Sequence, residues 1–390
     1  MDMEPKAEAG QECNCDCNKP KKEKSLKSKL LWMILFLAIA VLTVWAVTSQ
    51  DGFTFTGFIM FLRTLHPGWV ICAILAMLGF IVFEALAITS VVRSFGYRAP
   101  LHKSFIYSSS DIYFSAITPS ATGGQPASAY FMIKDGIPGA VTTVCLIVNL
   151  IMYTFAILII GITCFILKPS IFLGFPVLGK VLIIVGSVCL VSLAMFFILI
   201  LFKSSILLRA GNWVISLLAK IRILRKPDKY REKLCCSIKS YDGYVEQLKG
   251  KQRSLAITLL FNVLQRLSVI LVTLFVFFAA GGDKTLWIEI IVSQCMVILG
   301  TNVLPIPGAM GISDFMLICA FGAIGFSEHV AVNLNLISRG ISFYSCVIIC
   351  GLSMVIKLAV GAIMAKRAER KAQSEAENQP QAAEKSENQE

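Results

Sequence analysis

The stretch 105–133, FIYSSSDIYFSAITPSATGGQPASAYFMI, decides how the rest of the chain is read. It is apolar enough to enter a membrane, yet Thr118-Pro119-Ser120-Ala121-Thr122-Gly123-Gly124-Gln125-Pro126 sits at its centre. Proline removes a backbone donor, and paired glycine favours non-helical conformations. In hydrocarbon, broken backbone survives only where protein buries it or a wet cavity solvates it. Lys103 and Lys134 flank the segment, and each half is too short to cross a bilayer. The pattern predicts a re-entrant hairpin that enters and leaves on one side, with the whole of 118–126 non-helical.

The surrounding sequence supplies the membrane. Of 390 residues, 56% are hydrophobic and 15% charged, and the mean hydropathy is +0.74. A soluble domain carries about a quarter charged residues. Six apolar runs predict spans at about Leu30–Thr48, Trp69–Val92, Gly139–Leu167, Val181–Phe202, Leu255–Ala280 and Val330–Ile356. Phe53–Leu65 reads as an interfacial stretch. The expected fold class is therefore all-α, a polytopic membrane protein. The run Leu30–Thr48 is too long for a signal-peptide core and lacks a small-x-small site, so it is expected to stay.

A second interrupted segment runs from Leu286 to Val303, through Leu304-Pro305-Ile306-Pro307-Gly308-Ala309-Met310-Gly311, and out along Ile312–Gly325. Six spans place both termini on one side. The first hairpin then opens to the cytoplasm and the second to the outside, so the two span–hairpin–span units have inverted topology. Paired Gly/Pro-interrupted segments in corresponding positions point to a transporter-like binding site.

The net charge of +12 is not that of a nucleic-acid binder, because the basic residues cluster just outside the apolar runs, as in cytoplasmic loops. Residues 203–253 hold thirteen Lys/Arg against four Asp/Glu and are expected in the cytoplasm. Within them Leu234, Ile238, Tyr241, Val245 and Leu248 recur at helical spacing, suggesting a helix on the anionic inner leaflet. The domain expectation is a disordered basic tail at 1–29, an integral membrane unit at 30–367 and a disordered tail at 368–390. Among thirteen cysteines, Cys13, Cys15 and Cys17 lack the two-residue gap of common zinc sites and read as part of the tail.

Charges inside spans are costly and default to function, against a background of structural ion pairs and snorkelling side chains. The candidates are Glu84 in the second span, Asp111 and Asp314 in the hairpins, Arg266 with Asn262 and Gln265 in the fifth span, and Arg339 in the sixth. Arg266 and Arg339 belong to opposite walls of the second unit. Two guanidinium forks facing one cavity suit phosphate, and broken helices present N-terminal amides to anions. The backbone of the breaks adds Thr118, Pro119, Gly123, Gly124, Gln125, Pro126, Pro305, Pro307, Gly308 and Gly311. His66, His102 and His329 form no catalytic or metal constellation, and no nucleotide loop is present, so no metal or cofactor is expected.

The stretch Thr118-Pro119 through Gly123-Gly124-Gln125-Pro126, then Leu304-Pro305-Ile306-Pro307-Gly308 with Gly311 and Asp314, then Arg339, resembles the transmembrane (flippase) region of the lysylphosphatidylglycerol synthase/flippase family. In the family's Pro-x-Pro-Gly-Gly-x-Gly-x-x-Glu motif, this chain has Ala309 for the second Gly and Asp314 for the Glu. The resemblance covers about Leu30 to Arg367. It implies a lipid flippase or transporter of the bacterial inner membrane, with both termini cytoplasmic. Such a protein moves anionic or lysylated phosphatidylglycerol between leaflets and supports resistance to cationic peptide antibiotics. Full-length members also carry a soluble domain that transfers lysine from charged tRNA to phosphatidylglycerol, and this chain is expected to lack it. The rival readings are phosphatidylglycerol lysyltransferase activity, the one case in which a nucleic acid would be a partner, and a lipid-presenting partner of a separate synthase. A second copy of the chain is a further candidate partner.

Overall fold

The computed structural model describes residues 55–357 and 360, except 119–120, 221–226, 303, 305, 307–308 and 310. The expected span at Leu30–Thr48, the N-terminal cysteine run and the terminal tails lie outside the described residues.

Every element among the described residues is helical. The stretch read as interfacial is a short helix, α1 (Phe55–Thr64). The first unit is α2 (Pro67–Ser94), α3 (Leu101–Ile117), α4 (Gly124–Lys134) and α5 (Gly139–Leu167). A connector, α6 (Pro169–Gly174), leads to α7 (Val177–Phe202). The basic region forms α8 (Ser204–Lys220) and α9 (Pro227–Lys249). The second unit is α10 (Gln252–Ala279), α11 (Trp287–Thr301) after a 3-10 turn, α12 (Ile312–Ile324) and α13 (Glu328–Arg339). A π turn at Gly340–Ser345 carries α13 on to Lys357.

Six of these helices are long and apolar enough to cross a membrane. Five coincide with spans expected from the sequence. The sixth, Lys284–Thr301, is the first arm of the second broken segment. Its 18 residues rise about 27 Å, close to the hydrocarbon thickness of about 30 Å. The 11 residues of α4 and the 13 of α12 rise only about 17 and 20 Å, short of a crossing.

The centre of the bundle is the pair α2 and α10, which share the most extensive helix–helix contact. They run antiparallel. The His66 amide, just before α2, donates to the Ala279 carbonyl at the far end of α10 at 2.8 Å. At the opposite ends, the Ser254 hydroxyl donates to the Ser90 carbonyl at 3.0 Å. Between them Trp69 stacks on Phe275, and Gly79 lets Ser268 come close. Each helix then packs on its own unit in the same pattern: α2 on α3 and α5, α10 on α11 and α13. Likewise α3 packs on α4 and α4 on α5, as α11 does on α12 and α12 on α13. The two units repeat one arrangement in opposite directions.

Small residues set the closest approaches, as they do where lipid gives helices no hydrophobic reason to associate. A Cβ at Gly186 of α7 would run into the Leu299 carbonyl, and one at Gly161 of α5 would sit 2.9 Å from the Leu299 side chain. The end of α11 is thus gripped between α5 and α7.

Two expectations need correction. The first break is shorter than 118–126. Thr118 is extended at φ −111° and ψ 143°, and Ala121 turns left-handed at φ 53°. However, Gly124, Gln125 and Pro126 already belong to the first turn of α4. Proline is tolerated there because those amides have no intrahelical acceptor. Gly124 is needed because a Cβ would collide with Asp111 and Ser115. In the second break, Ala309 has φ 48° and Gly311 φ 82°; Pro305, Pro307 and Gly308 lie outside the described residues.

The second correction concerns the stripe in α9. Tyr241, Val245 and Leu248 are buried with α5 residues and Leu201, so this face is covered by protein. The Tyr241 hydroxyl points at the Ile200 carbonyl at 3.3 Å. Burial, with Asp242 nearby, pushes its phenol up to about 12, which keeps it a neutral donor.

Candidate functional site

The buried polar residues gather at the two breaks and where α2 crosses α10. On α2, Glu84 is 6% exposed. Its carboxylate accepts from Gln265 Nε2 of α10 at 3.0 Å, with the Asp111 carboxyl of α3 nearby. Asp111 accepts from Gln125 Nε2 at 2.8 Å and from the Ser115 hydroxyl at 3.2 Å. Two bonded groups, Glu84–Gln265 and Asp111–Gln125, thus meet where α2 and α10 face both arms of the first hairpin, with Gln125 reaching back from α4.

At the second break, Asp314 stands in the first turn of α12. One carboxylate oxygen accepts the Gly311 amide at 2.9 Å, as an anion at a helix N-terminus should. The other accepts from Asn335 Nδ2 at 3.0 Å and Arg339 Nε at 2.8 Å, both on α13. Arg339 also lies 5.3 Å from the Phe343 ring centroid. An ion pair thus joins α12 to α13 beside the break.

Arg266 behaves differently. No carboxylate oxygen among the described residues lies within 4.0 Å of it. Its guanidinium carbon lies 4.1 Å from the Tyr153 ring centroid and 5.3 Å from that of Phe80. Its Nε is buried without an acceptor. Tyr153 in turn donates to Asn302 Oδ1 at 2.9 Å, at the end of α11 where the second break begins. A guanidinium stacked on aromatic faces keeps its planar fork of donors for an anion.

Of the residues singled out in the sequence, Glu84, Asp111, Gln265 and Gln125 come together, and Asp314 joins Arg339. Asn262 is turned to α5, where it donates to Asn149 Oδ1 at 3.1 Å. The sequence reading missed Asn149, Tyr153, Asn302 and Asn335. A signal was present: Asn149 and Tyr153 stand four apart on α5, as Asn335 and Arg339 do on the corresponding α13, so each pair lies on one helix face. No group of His, Cys, Asp or Glu among the described residues is placed to hold a metal ion.

Inverted helix–hairpin–helix units, with ionisable groups buried at the breaks, define a polytopic helical membrane protein. Comparison with known proteins names the group. The chain belongs to the lysylphosphatidylglycerol synthase TM region family, whose description matches residues 32–350. It is also 25% identical over 259 residues to UPF0104 membrane protein PH1989 of Pyrococcus horikoshii, covering 63% of this chain and 74% of that relative. This is a membrane protein linked by family to lipid handling.

Proposed function

We propose that the chain is a lipid flippase or transporter that passes an anionic phospholipid, phosphatidylglycerol or its aminoacylated form, between leaflets. The observation that carries this reading is Arg266. Placing an arginine in a span is unfavourable by about 2.5–3.5 kcal/mol on insertion scales, and the Glu84 carboxyl, near enough to feel its charge, makes no ion pair with it within 4.0 Å, so the guanidinium is left open to another anion. A lipid phosphate supplies one, and the Tyr153–Phe80 platform holds the fork ready for it. The family's link to phosphatidylglycerol supports the substrate class. The placement of basic residues on α8 and α9 supports cytoplasmic termini, and a bacterial inner membrane with a role in cationic-peptide resistance fits the same reading.

The test uses purified protein in liposomes with a head-group-labelled phosphatidylglycerol and a membrane-impermeant quencher. Wild-type protein is expected to expose inner-leaflet label, and Arg266→Ala to abolish that exposure while still eluting as folded protein. Wild-type rates in Arg266→Ala would end the proposal.

A further inference from the structure

The antiparallel crossing of α2 and α10 leaves a second polar place, at the basic end of the pair. A cavity of about 640 Å³ opens between the C-terminal turns of α2 and the start of α10. Its rim carries Arg93, Lys251 and Arg253, and no acidic residue lines it. Along the two helices from these cations come Thr89, Ser90, Ser94 and Ser254, of which Thr89, Ser94 and Ser254 donate their hydroxyls to backbone carbonyls, and then the apolar Leu86, Ile257 and Phe261. On α2, Arg93 lies nine residues from Glu84, a rise of about 13 Å, so the basic mouth stands apart from the buried network, while the apolar end at Leu86 and Phe261 approaches it.

The three cations are held differently. Lys251 Nζ donates to the Ser94 carbonyl, closing the end of α2, and lies 5.3 Å from the Phe95 ring centroid. Arg93 donates one bond to the Ala99 carbonyl at 3.2 Å. Arg253 is exposed and makes no hydrogen bond or ion pair among the described residues. The start of α10 adds its own partial positive charge. The charge is fixed at the mouth, the hydroxyls are within the cavity, and the apolar wall runs toward the middle of the bundle.

That sequence of cation, hydroxyl and hydrocarbon is the profile of a phospholipid read from phosphate to acyl chain. We propose that this cavity is a docking site for an anionic phospholipid at the basic face of the protein, with its phosphate between Arg93 and Arg253 and one acyl chain along Ile257 and Phe261. It goes beyond the transport reading: lipid binding here and lipid crossing at Arg266 are separate events with separate readouts.

The experiment measures binding of short-chain phosphatidylglycerol and phosphatidylcholine to the purified full chain in neutral detergent by native mass spectrometry. Inorganic phosphate in large excess serves as competitor. Phosphatidylglycerol is expected to bind and phosphatidylcholine to bind far more weakly. Arg253→Gln is expected to weaken phosphatidylglycerol binding about five-fold, as is typical for one basic residue at an anionic lipid surface. Ile257→Trp, which fills the apolar wall and leaves the charge alone, is expected to weaken both lipids. Free phosphate should not displace the lipid. Unchanged phosphatidylglycerol binding in both variants, equal binding of the two lipids, or displacement by phosphate would each overturn the proposal. Arg253 projects from the surface, so its variant is expected to fold; a melting temperature equal to wild type checks this.

Discussion

Arg339 Nε donates to Asp314 Oδ1 at 2.8 Å, with the arginine side chain 14% and the aspartate 4% exposed. The same carboxylate caps the Gly311 amide through its other oxygen. One aspartate therefore ties α13 to the start of α12. Arg266, on α10 of the same unit, is held on aromatic rings instead. The two arginines are held by different contacts, and their variants are expected to fail in different ways.

Removing one partner of a buried ion pair leaves the other charge uncompensated, typically at a cost of about 3–5 kcal/mol. Arg339→Gln and Asp314→Asn are expected to lower the melting temperature in detergent and the yield of monodisperse protein. A melting temperature equal to wild type in both would show that the pair is not structural.

Lysine at 266 would keep the charge but lose the planar fork and its stacking on Tyr153. Arg266→Lys is expected to slow lipid translocation markedly with little change in folded yield. Tyr153→Ala should do the same, since stacking of this kind contributes about 0.5–2 kcal/mol. Tyr153→Phe keeps the ring and loses only the bond to Asn302, so it should retain more activity than Tyr153→Ala. The reverse order would remove the platform from the account.

Both breaks place an alanine in the left-handed region, Ala121 at φ 53° and Ala309 at φ 48°. That conformation disfavours an L-residue by roughly 1–2 kcal/mol, partly offset in glycine by greater chain entropy in the unfolded state. Ala309→Gly is expected to leave the melting temperature unchanged or raise it, whereas Ala309→Val should lower it. A fall with glycine as large as that with valine would contradict the strained backbone.

Lys239 is exposed on α9, in the basic stretch between α7 and α10. In a background without native cysteines, Lys239→Cys is expected to resist membrane-impermeant maleimide in intact cells and to react after lysis. Labelling from outside would invert the orientation proposed from the basic residues.

Much of the fold could be read from the lengths of the apolar runs. The span Gly139–Leu167 matches α5 residue for residue, because Pro138 and Lys168-Pro169 mark both its ends. The start of α4 could not be read in the same way. Gln125-Pro126 looks like an interruption, but proline belongs equally to a first helical turn, and only the closeness of Gly124 to Asp111 shows which applies here. In α9 the apolar stripe was plain, but periodicity shows only that a face is apolar, not whether lipid or protein covers it. For the site, Glu84, Asp111, Asp314 and Arg339 stood out through the cost of burying charge. Their pairing did not, since it depends on which helices meet. Tyr153 stayed hidden because an aromatic side chain in an apolar run has the appearance of core.

The antiparallel meeting of α2 and α10 also bears on direction. Because the two units repeat one arrangement upside down, any difference between them is a difference between the two faces of the membrane. Here the asymmetry is chemical: an acid–arginine lock at the second break, and a carboxyl–amide network with Gln125 at the first. If each unit took on the other's local shape, the molecule would be turned inside out while its central helix pair stayed in place. On the transport proposal, that exchange would give the opposite-facing state, and the unequal chemistry of the two breaks would determine which of the two faces rests open.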